Sequence, residues 1–212
     1  MKTATDNERG FAHELAFWAD FVQTERFQNN WVKAPTNPEL DSLTRQVILA
    51  EAGGRPKVLD VGAGPVSILR GLVKKLTAID PLAGEFSRLV PGCKTIAGHA
   101  EHLPFEDVFD VVHIRNAFDH TQNPLLAILS LVRAARPGGL IFIQGFVDEA
   151  SHEQYAGLHQ WNVTAAGNIL SVTGREYSFR YEPAPDAMVL SRVVQLPTEK
   201  EWFYFAFRKP KK

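Results

Sequence analysis

A short apolar run that ends directly in two glycines constrains the fold of this chain more than any other stretch. Residues 58–61 (Val-Leu-Asp-Val) have the pattern of a strand covered on both faces, and Gly62 and Gly64 follow at once. Glycine allows a positive φ and lets the backbone approach a ligand closely. Because Pro65 suits the first turn of a helix, the stretch predicts a strand, a tight turn and a helix over residues 65–74.

An acidic residue stands at the end of the next predicted strand. Asp80 follows the apolar segment 76–79, so its carboxylate is expected at the carboxyl edge of the strand beside the first one. Nucleotide-binding α/β sheets hold a ribose diol at that edge. The glycine turn and Asp80 together favour a nucleotide-type cofactor, whereas a glycine turn by itself also fits a purely structural connection.

Five segments, in order, resemble the sequence motifs of class I S-adenosylmethionine-dependent methyltransferases of the type 11-like group. These segments are 58–65, 78–80, 98–105, 109–120 and 136–140. Two positions depart from the family pattern: Pro65 replaces the third small residue of the glycine loop, and His99 stands where the family often has an acidic residue. The resemblance implies an α/β fold with a Rossmann-like, doubly wound, mostly parallel sheet.

Strands and helices alternate beyond the glycine turn, which predicts right-handed crossovers and a parallel sheet. The predicted elements are strands at 76–80, 94–97, 109–114 and 140–143, a helix at 82–89, and a helix that starts at Asn123 and Pro124 and buries Leu125, Ile128, Leu129 and Val132. Residues 188–196 and 202–208 predict an antiparallel hairpin at the sheet edge. A smaller hairpin over 169–181 is either a structural edge or a lining of the substrate mouth.

Two cap helices are predicted before the glycine turn. Apolar residues at helical spacing predict an amphipathic helix in residues 11–33, with a break near 27–31, and a second helix over 39–52. The first helix is either packed on the domain or a lid over the active site. The chain then divides into an N-terminal helical cap (1–54), a cofactor-binding core (55–147) and a substrate-side loop with antiparallel strands of the same domain (148–212).

Composition and the placing of histidines exclude several classes of partner. The 212 residues carry a formal net charge of −1, so we expect no nucleic-acid or membrane partner. A single cysteine, Cys93, excludes an internal disulfide, and the first residues lack a signal-peptide core, so a cytoplasmic protein is expected. The sequence leaves open whether it is a monomer or a homodimer. No metal site is expected, because His99 and His102 lie in a loop and His113 lies within an apolar strand as a core residue.

The resemblance also implies which residues bind S-adenosylmethionine and its product, S-adenosylhomocysteine. The backbone of the glycine turn would contact the amino-acid part of the cofactor, and Asp60 would order the loop. Asp80 would bind the ribose hydroxyls, and Ala100 with Glu101 would contact the adenine. The full set is Asp60, Gly62, Ala63, Gly64, Asp80, Pro81, Ala100, Glu101, Arg115 and Asn116.

Three residues are candidates for acid–base catalysis. Asp119 and His120 are adjacent in the loop after the fourth predicted strand, which would pass under the donor methyl group, and His159 lies after the fifth. Histidine suits a general base because its ordinary pKa of about 6.5 leaves it largely neutral at working pH. An acidic residue beside a histidine is also compatible with a loop that transfers no proton.

Aromatic residues are candidates for the acceptor pocket. Trp18 in the first helix, with Tyr155 and Trp161 after the fifth strand, would form an apolar wall, and the same three residues also fit a packed core. The resemblance implies methyl transfer to an oxygen or nitrogen atom of a small-molecule or sugar-containing acceptor. Two alternatives stay open: a non-catalytic binding module, and a nicotinamide-dependent oxidoreductase, whose fingerprint requires a third glycine where Ser67 stands.

Overall fold

The computed structural model describes residues 4–185 and 187–211, in which ten strands and six α-helices occur. The strands are β1 (Lys57–Val61), β2 (Lys75–Asp80), β3 (Ile96–Ala97), β4 (Phe109–Arg115), β5 (Ala135–Phe146), β6 (Asn162–Ala166), β7 (Ile169–Thr173), β8 (Ser178–Tyr181), β9 (Val189–Gln195) and β10 (Glu201–Arg208). The α-helices are α1 (Ala4–Phe21), α2 (Glu25–Phe27), α3 (Ser42–Leu49), α4 (Ala83–Leu89), α5 (Pro124–Ala134) and α6 (Glu149–His152).

Seven of the strands form one sheet in the order β3-β2-β1-β4-β5-β10-β9. The first five of these pair in parallel, whereas β10 runs antiparallel between β5 and β9. The predicted doubly wound, mostly parallel sheet with an antiparallel edge hairpin is therefore confirmed. The strand order reverses between β1 and β4, and open α/β sheets bind ligands at the carboxyl ends of the strands beside such a switch point.

The predicted helix over 65–74 is absent, and that prediction is wrong. Turns connect β1 to β2 in this segment. The Ser67 hydroxyl donates to the Asp60 carboxylate at 2.5 Å, and the Arg70 guanidinium donates to carbonyl groups in the segment 31–34. Tertiary hydrogen bonds to the cap and to β1 therefore take the place of helical hydrogen bonds in this short connection.

The first cap helix starts earlier than predicted, at Ala4, and ends at Phe21. Turns at residues 22–24 interrupt the helical path shortly before the predicted break near 27–31, and a π-helical turn follows at Gln28–Lys33. The second helix starts at Ser42 rather than at residue 39, because the Asp41 side chain accepts a hydrogen bond from the Thr44 N–H at 2.8 Å and so caps it. A 3₁₀ turn at Glu51–Gly54 then leads into β1.

The helix before β5 starts as predicted, with the Asn123 side chain accepting from the Leu126 N–H at 3.0 Å. Its buried face differs from the prediction, because Leu125 and Leu129 are 44% and 53% exposed. The residues that face the sheet are Ala127, Ile128, Leu131 and Ala134. The burial of Ile128 is therefore confirmed, and that of the two leucines is wrong.

Strands β6, β7 and β8 form a separate three-stranded antiparallel sheet. Pairing of β7 with β8 confirms the hairpin predicted over 169–181. Leu170 and Val172 of β7 belong to the same buried cluster as Phe203 and Phe205 of β10. The small sheet is thus part of the main hydrophobic core.

A search of the helices in residues 4–185 and 187–211 finds none with the length and apolarity required to cross a membrane.

Candidate active site

A cavity of about 650 Å³ opens at the carboxyl ends of the central parallel strands. The predicted cofactor residues in its wall are Asp60, Gly62, Ala63, Asp80, Pro81, Ala100, Glu101, Arg115 and Asn116. The first helix covers one side, and its residues in the wall are Phe11, His13, Glu14, Phe17, Trp18 and Phe21. The predicted cofactor residues and the predicted cap therefore surround one space.

Both turn glycines are required by close packing within the chain. Gly62 and Gly64 have φ values of 67° and 65°. A Cβ on Gly62 would overlap the Cβ of Ala117, and one on Gly64 would lie 2.7 Å from the Trp18 ring. The turn is therefore fixed between the loop after β4 and α1 as well as shaped for a close approach of its backbone to a ligand.

The Asp80 carboxylate lies beside the glycine turn and accepts backbone hydrogen bonds at both of its oxygens. Its Oδ2 accepts a hydrogen bond from the Gly64 N–H at 3.0 Å, and its Oδ1 accepts one from the Leu82 N–H at 2.9 Å. Burial raises the pKa of Asp80 to about 6, against the effect of these two bonds. Each carboxylate oxygen keeps acceptor capacity beyond the one backbone bond that it makes.

A series of buried hydrogen bonds fixes the side chain of Asp60. The Asp60 Oδ1 lies 2.7 Å from the His113 Nδ1, and the His113 Nε2 lies 2.8 Å from the Gln144 amide nitrogen. Gln144 in turn contacts Thr44 of α3 at 3.1 Å. His113 is fully buried, which confirms it as a core residue.

The adenine-side segment is fixed to the loop after β4. Ala100 and Glu101 are both buried, and the Glu101 Oε1 accepts a hydrogen bond from the Gln122 N–H at 2.7 Å. His99 also lines the cavity, with its ring 6.3 Å from the Phe11 ring in an edge-on contact. His99, one of the two positions that depart from the family pattern, therefore faces the cavity.

Asp119, His120 and His159 come together where the segments after β4 and β5 meet, on the side of the cavity that we call the far wall. The His159 Nδ1 lies 2.6 Å from the Asp119 Oδ2 and 3.1 Å from the His120 Nε2. Burial acts to lower the pKa of His159, but the hydrogen bond to Asp119 and the negative charges of Asp119, Glu149 and Glu153 together outweigh it and raise the pKa. Burial would likewise raise the pKa of Asp119, but the two imidazoles outweigh this and lower it.

Glu149 is a second buried carboxylate in this wall. It is 6% exposed, its Oε1 lies 3.5 Å from the Lys200 Nζ, and its Oε2 is buried without a hydrogen-bond partner in the described residues. Burial raises its pKa, in opposition to the charge of Lys200. Glu153, also at the cavity, lies 3.2 Å from the same ammonium group.

Arg115 presents a guanidinium group with an unpaired donor. Its Cζ lies 4.7 Å from the centre of the Trp202 ring, and its Nε is buried with no hydrogen-bond partner among the residues that the structure describes. Burial lowers the pKa of Arg115 from its ordinary value. A buried donor of this kind is suited to an anionic group of a ligand.

Comparison with known proteins identifies the central segment. Residues 59–143 match the family model described as a methyltransferase domain. This segment is therefore similar to methyltransferase domains. A demethylmenaquinone methyltransferase of Mycobacterium tuberculosis is 33% identical over 102 residues, which are 44% of this chain and 42% of that protein. An uncharacterized methyltransferase of Schizosaccharomyces pombe is 28% identical over 105 residues, 40% of this chain and 38% of the relative. The chain thus spans about two fifths of the length of these curated relatives.

The fold of this chain is also found in the solved structure of the cyclase SpnF. The TM-score is 0.56 at 11% sequence identity, and the match covers 96% of this chain and 97% of that one. At this identity the likeness concerns the fold alone. Since that relative is described as a cyclase, the reaction has to be argued from the site and not from the fold.

Two predicted acceptor residues lie away from the cavity. Trp161 is 6% exposed, belongs to the main core and donates its indole N–H to the Thr121 carbonyl at 2.6 Å. Tyr155 accepts a hydrogen bond from Asn162 at 3.1 Å and stacks under Arg175. Neither side chain lines the cavity: Trp161 fits the alternative of a packed core, and Tyr155 contacts Asn162 and Arg175 instead. Trp18 does line the cavity, and the hairpin over 169–181 does not.

Several residues of the cavity wall were not predicted from the sequence. Phe146 ends β5 and Glu149 follows it, and Trp202 of β10 pairs with Phe146. A position at the carboxyl end of a parallel strand was the available signal for the first two. No local signal predicts Trp202, because β10, an antiparallel strand far along the chain, brings it to the site.

Proposed function

We propose that this protein transfers a methyl group from S-adenosylmethionine to an oxygen or nitrogen atom of a small-molecule or sugar-containing acceptor. The observation that carries the proposal is the cavity, whose wall contains Gly62 of the glycine turn, Asp80, and the two imidazoles of His120 and His159, with Asp119 bonded to His159 behind them. The match of residues 59–143 to a methyltransferase domain supports it.

The cofactor would bind along the carboxyl ends of β1, β2 and β4. In this proposal Asp80 accepts hydrogen bonds from the ribose hydroxyls, Ala100 and Glu101 contact the adenine, and the Gly62 backbone approaches the amino-acid part. The unpaired Nε of Arg115 supports a contact with the carboxylate of that part. Each of these residues lines the cavity.

The acceptor would bind between the first helix and the far wall. The aromatic residues there are Phe11, Phe17, Trp18, Phe146 and Trp202. A volume of about 650 Å³ falls within the range of roughly 300–1,000 Å³ of pockets for small molecules. These properties support a small acceptor with a partly apolar body.

Methyl transfer from a sulfonium is an in-line displacement, so alignment of donor and acceptor is the main contribution of the protein. The acceptor proton must also leave. His120 and His159 are placed to take it, because both line the cavity and His159 is oriented by its hydrogen bond to Asp119.

Calorimetric titration of S-adenosylhomocysteine into wild type, Asp80→Ala and Asp20→Ala tests the cofactor half of the proposal. Asp20 is exposed on α1 and serves as the matched control. We expect binding by wild type and Asp20→Ala, and at least a tenfold loss in Asp80→Ala, about 1.4 kcal/mol. Circular dichroism checks that each variant is folded. No binding by folded wild-type protein would overturn the proposal.

Product formation tests the transfer half. Wild-type protein is incubated with S-adenosylmethionine and a panel of hydroxyl- and amine-bearing acceptors, and S-adenosylhomocysteine release is measured by mass spectrometry. Cofactor binding without turnover on any acceptor would favour the non-catalytic binding module. Tight NADH binding in a fluorescence titration, without S-adenosylhomocysteine binding, would favour the oxidoreductase.

A further inference from the structure

Three potential ligand atoms of the far wall converge on one point. They are the Nε2 of His120, the Nδ1 of His159 and the Oδ2 of Asp119. The separations are 3.1 Å between the two nitrogens, 2.6 Å between His159 and Asp119, and 3.6 Å between His120 and Asp119. Each of these atoms can bind a cation through a lone pair.

Hydrogen bonds alone satisfy this arrangement poorly. If the His159 Nδ1 carries a proton, it donates to Asp119, and the unprotonated His120 Nε2 can only share that same hydrogen. If the His120 Nε2 carries the proton instead, the Nδ1 of His159 faces the Asp119 carboxylate with two lone pairs opposed at 2.6 Å. A single cation satisfies all three atoms together.

The distances match those of a metal centre. From the three separations, a point about 2.1 Å from all three atoms exists roughly 1 Å out of their plane, and about 2.1 Å is the usual length of bonds from zinc to imidazole nitrogen and carboxylate oxygen. His120 and His159 also line the cavity, which leaves the remaining coordination positions on the open side.

A separate observation supports a positive charge at this wall. The buried Oε2 of Glu149 has no hydrogen-bond partner in the described residues, and the Glu149 charge acts on both Asp119 and His159. Glu153 adds a third carboxylate to the same wall, whereas Lys200 is the cation paired with it and with Glu149. An additional cation would balance this excess of negative charge.

We propose that Asp119, His120 and His159 bind a first-row divalent transition metal ion, with Glu149 as a further ligand directly or through water. Two imidazoles and one carboxylate suit zinc, iron, cobalt or nickel, whereas magnesium prefers oxygen ligands. The arrangement leaves positions for an exogenous ligand from the cavity.

The role of the ion rests on the proposed methyl transfer, which it narrows to hydroxyl-bearing acceptors. A hydroxyl bound to the ion loses its proton to water, because a metal ion lowers the pKa of a bound hydroxyl group. The oxygen then forms a bond to the methyl carbon, and the electron pair of the S–CH₃ bond stays on sulfur, which becomes a neutral thioether. In this scheme His120 and His159 are ligands, and they accept no proton.

Metal titration of the full chain tests the site. Protein freed of metal with EDTA is titrated with Zn²⁺ in a calorimeter and with Co²⁺ in a visible spectrophotometer. We compare wild type with His120→Gln, His159→Gln and the control His102→Gln, since His102 is exposed and outside the cavity wall. We expect one ion per chain in wild type and His102→Gln, and at least a tenfold weaker affinity in the other two variants.

The same samples are titrated with S-adenosylhomocysteine, which separates this proposal from the proposed function. Absence of Zn²⁺ and Co²⁺ binding by wild type, or binding that neither His120→Gln nor His159→Gln weakens, would overturn the metal site whether or not the cofactor binds. Metal binding with the expected pattern and no cofactor binding would keep the site and overturn the proposed methyl transfer.

Discussion

The Nδ1 atom of His113 lies 2.7 Å from the Oδ1 atom of Asp60, between the paired strands β4 and β1. With its proton on Nδ1, the neutral imidazole donates to Asp60 and accepts from the Gln144 amide. The other Asp60 oxygen accepts from the Ser67 hydroxyl at 2.5 Å. A histidine in the core thus holds the carboxylate on which the connection after the glycine turn is fixed.

Replacement of His113 by phenylalanine should destabilise the fold. The substitution keeps an aromatic ring but removes the His113 partner of both buried groups, so the Asp60 Oδ1 loses its hydrogen bond and the Gln144 amide nitrogen keeps only Thr44. We expect the free energy of unfolding to fall by about 2–4 kcal/mol in urea titrations. His102→Phe on the exposed surface is the control, with a change within about 0.5 kcal/mol. Equal midpoints for His113→Phe and wild type would show that these bonds add no net stability.

Gly62→Ala should impair cofactor binding through a clash that a second substitution relieves in part. The added Cβ overlaps the Cβ of Ala117, and the φ of 67° is strained for alanine. We expect at least a tenfold loss of S-adenosylhomocysteine affinity. Gly62→Ala combined with Ala117→Gly should recover part of it, because the overlap is removed and the strain remains. If the double variant binds no better than Gly62→Ala alone, contact with Ala117 is not the cause.

Cofactor affinity should fall in mild acid. The pKa of Asp80 is raised to about 6 by burial, so the carboxylate is ionised at pH 7 and mostly protonated at pH 5. Only the ionised form offers both oxygens as acceptors to ribose hydroxyls. We expect S-adenosylhomocysteine binding, followed by calorimetry, to weaken about tenfold from pH 7 to pH 5. Asp80→Asn should bind weakly with no such dependence, and an equally steep profile in this variant would assign the titration to another group.

Arg115→Gln should weaken S-adenosylhomocysteine more than adenosine, which lacks the amino-acid part. The buried Nε has no partner in the described residues, and a ligand carboxylate would supply one. We expect at least a tenfold loss for S-adenosylhomocysteine, about 1.4 kcal/mol, and little change for adenosine. Arg175→Gln is the matched control, because Arg175 also stacks on an aromatic ring, Tyr155, but outside the cavity. Equal losses for both ligands would contradict the contact with the carboxylate.

Local patterns in the sequence predicted the sheet and the cofactor side of the cavity. The apolar run before Gly62, the glycines themselves and Asp80 lie within two adjacent strands and their turn, so their spacing along the chain determines their positions in space. The hairpin of β9 with β10 and the capped start of α5 at Asn123 follow from equally local signals. For these features short-range sequence and structure agree.

Local signals failed where distant contacts determine the backbone. A helix over 65–74 fits the residue types, but Arg70 bonds to carbonyls of the N-terminal cap and Ser67 bonds to Asp60. Trp161 was predicted as a residue of the acceptor pocket, but its ring is packed in the main core. Neither the missing helix nor the burial of Trp161 can be predicted from the residues next to it in the sequence.

The sequence by itself determined the succession of strands along the chain, the glycine turn and the acidic residue beside it, because backbone preferences and apolar periodicity act over a few residues. Only the tertiary structure decided that His159 meets Asp119 and His120, and that Trp202 meets Arg115. These side chains belong to segments far apart in the chain. They converge because β10 and the loop after β5 pack at the carboxyl edge of the sheet. That packing is determined by burial of the whole hydrophobic core.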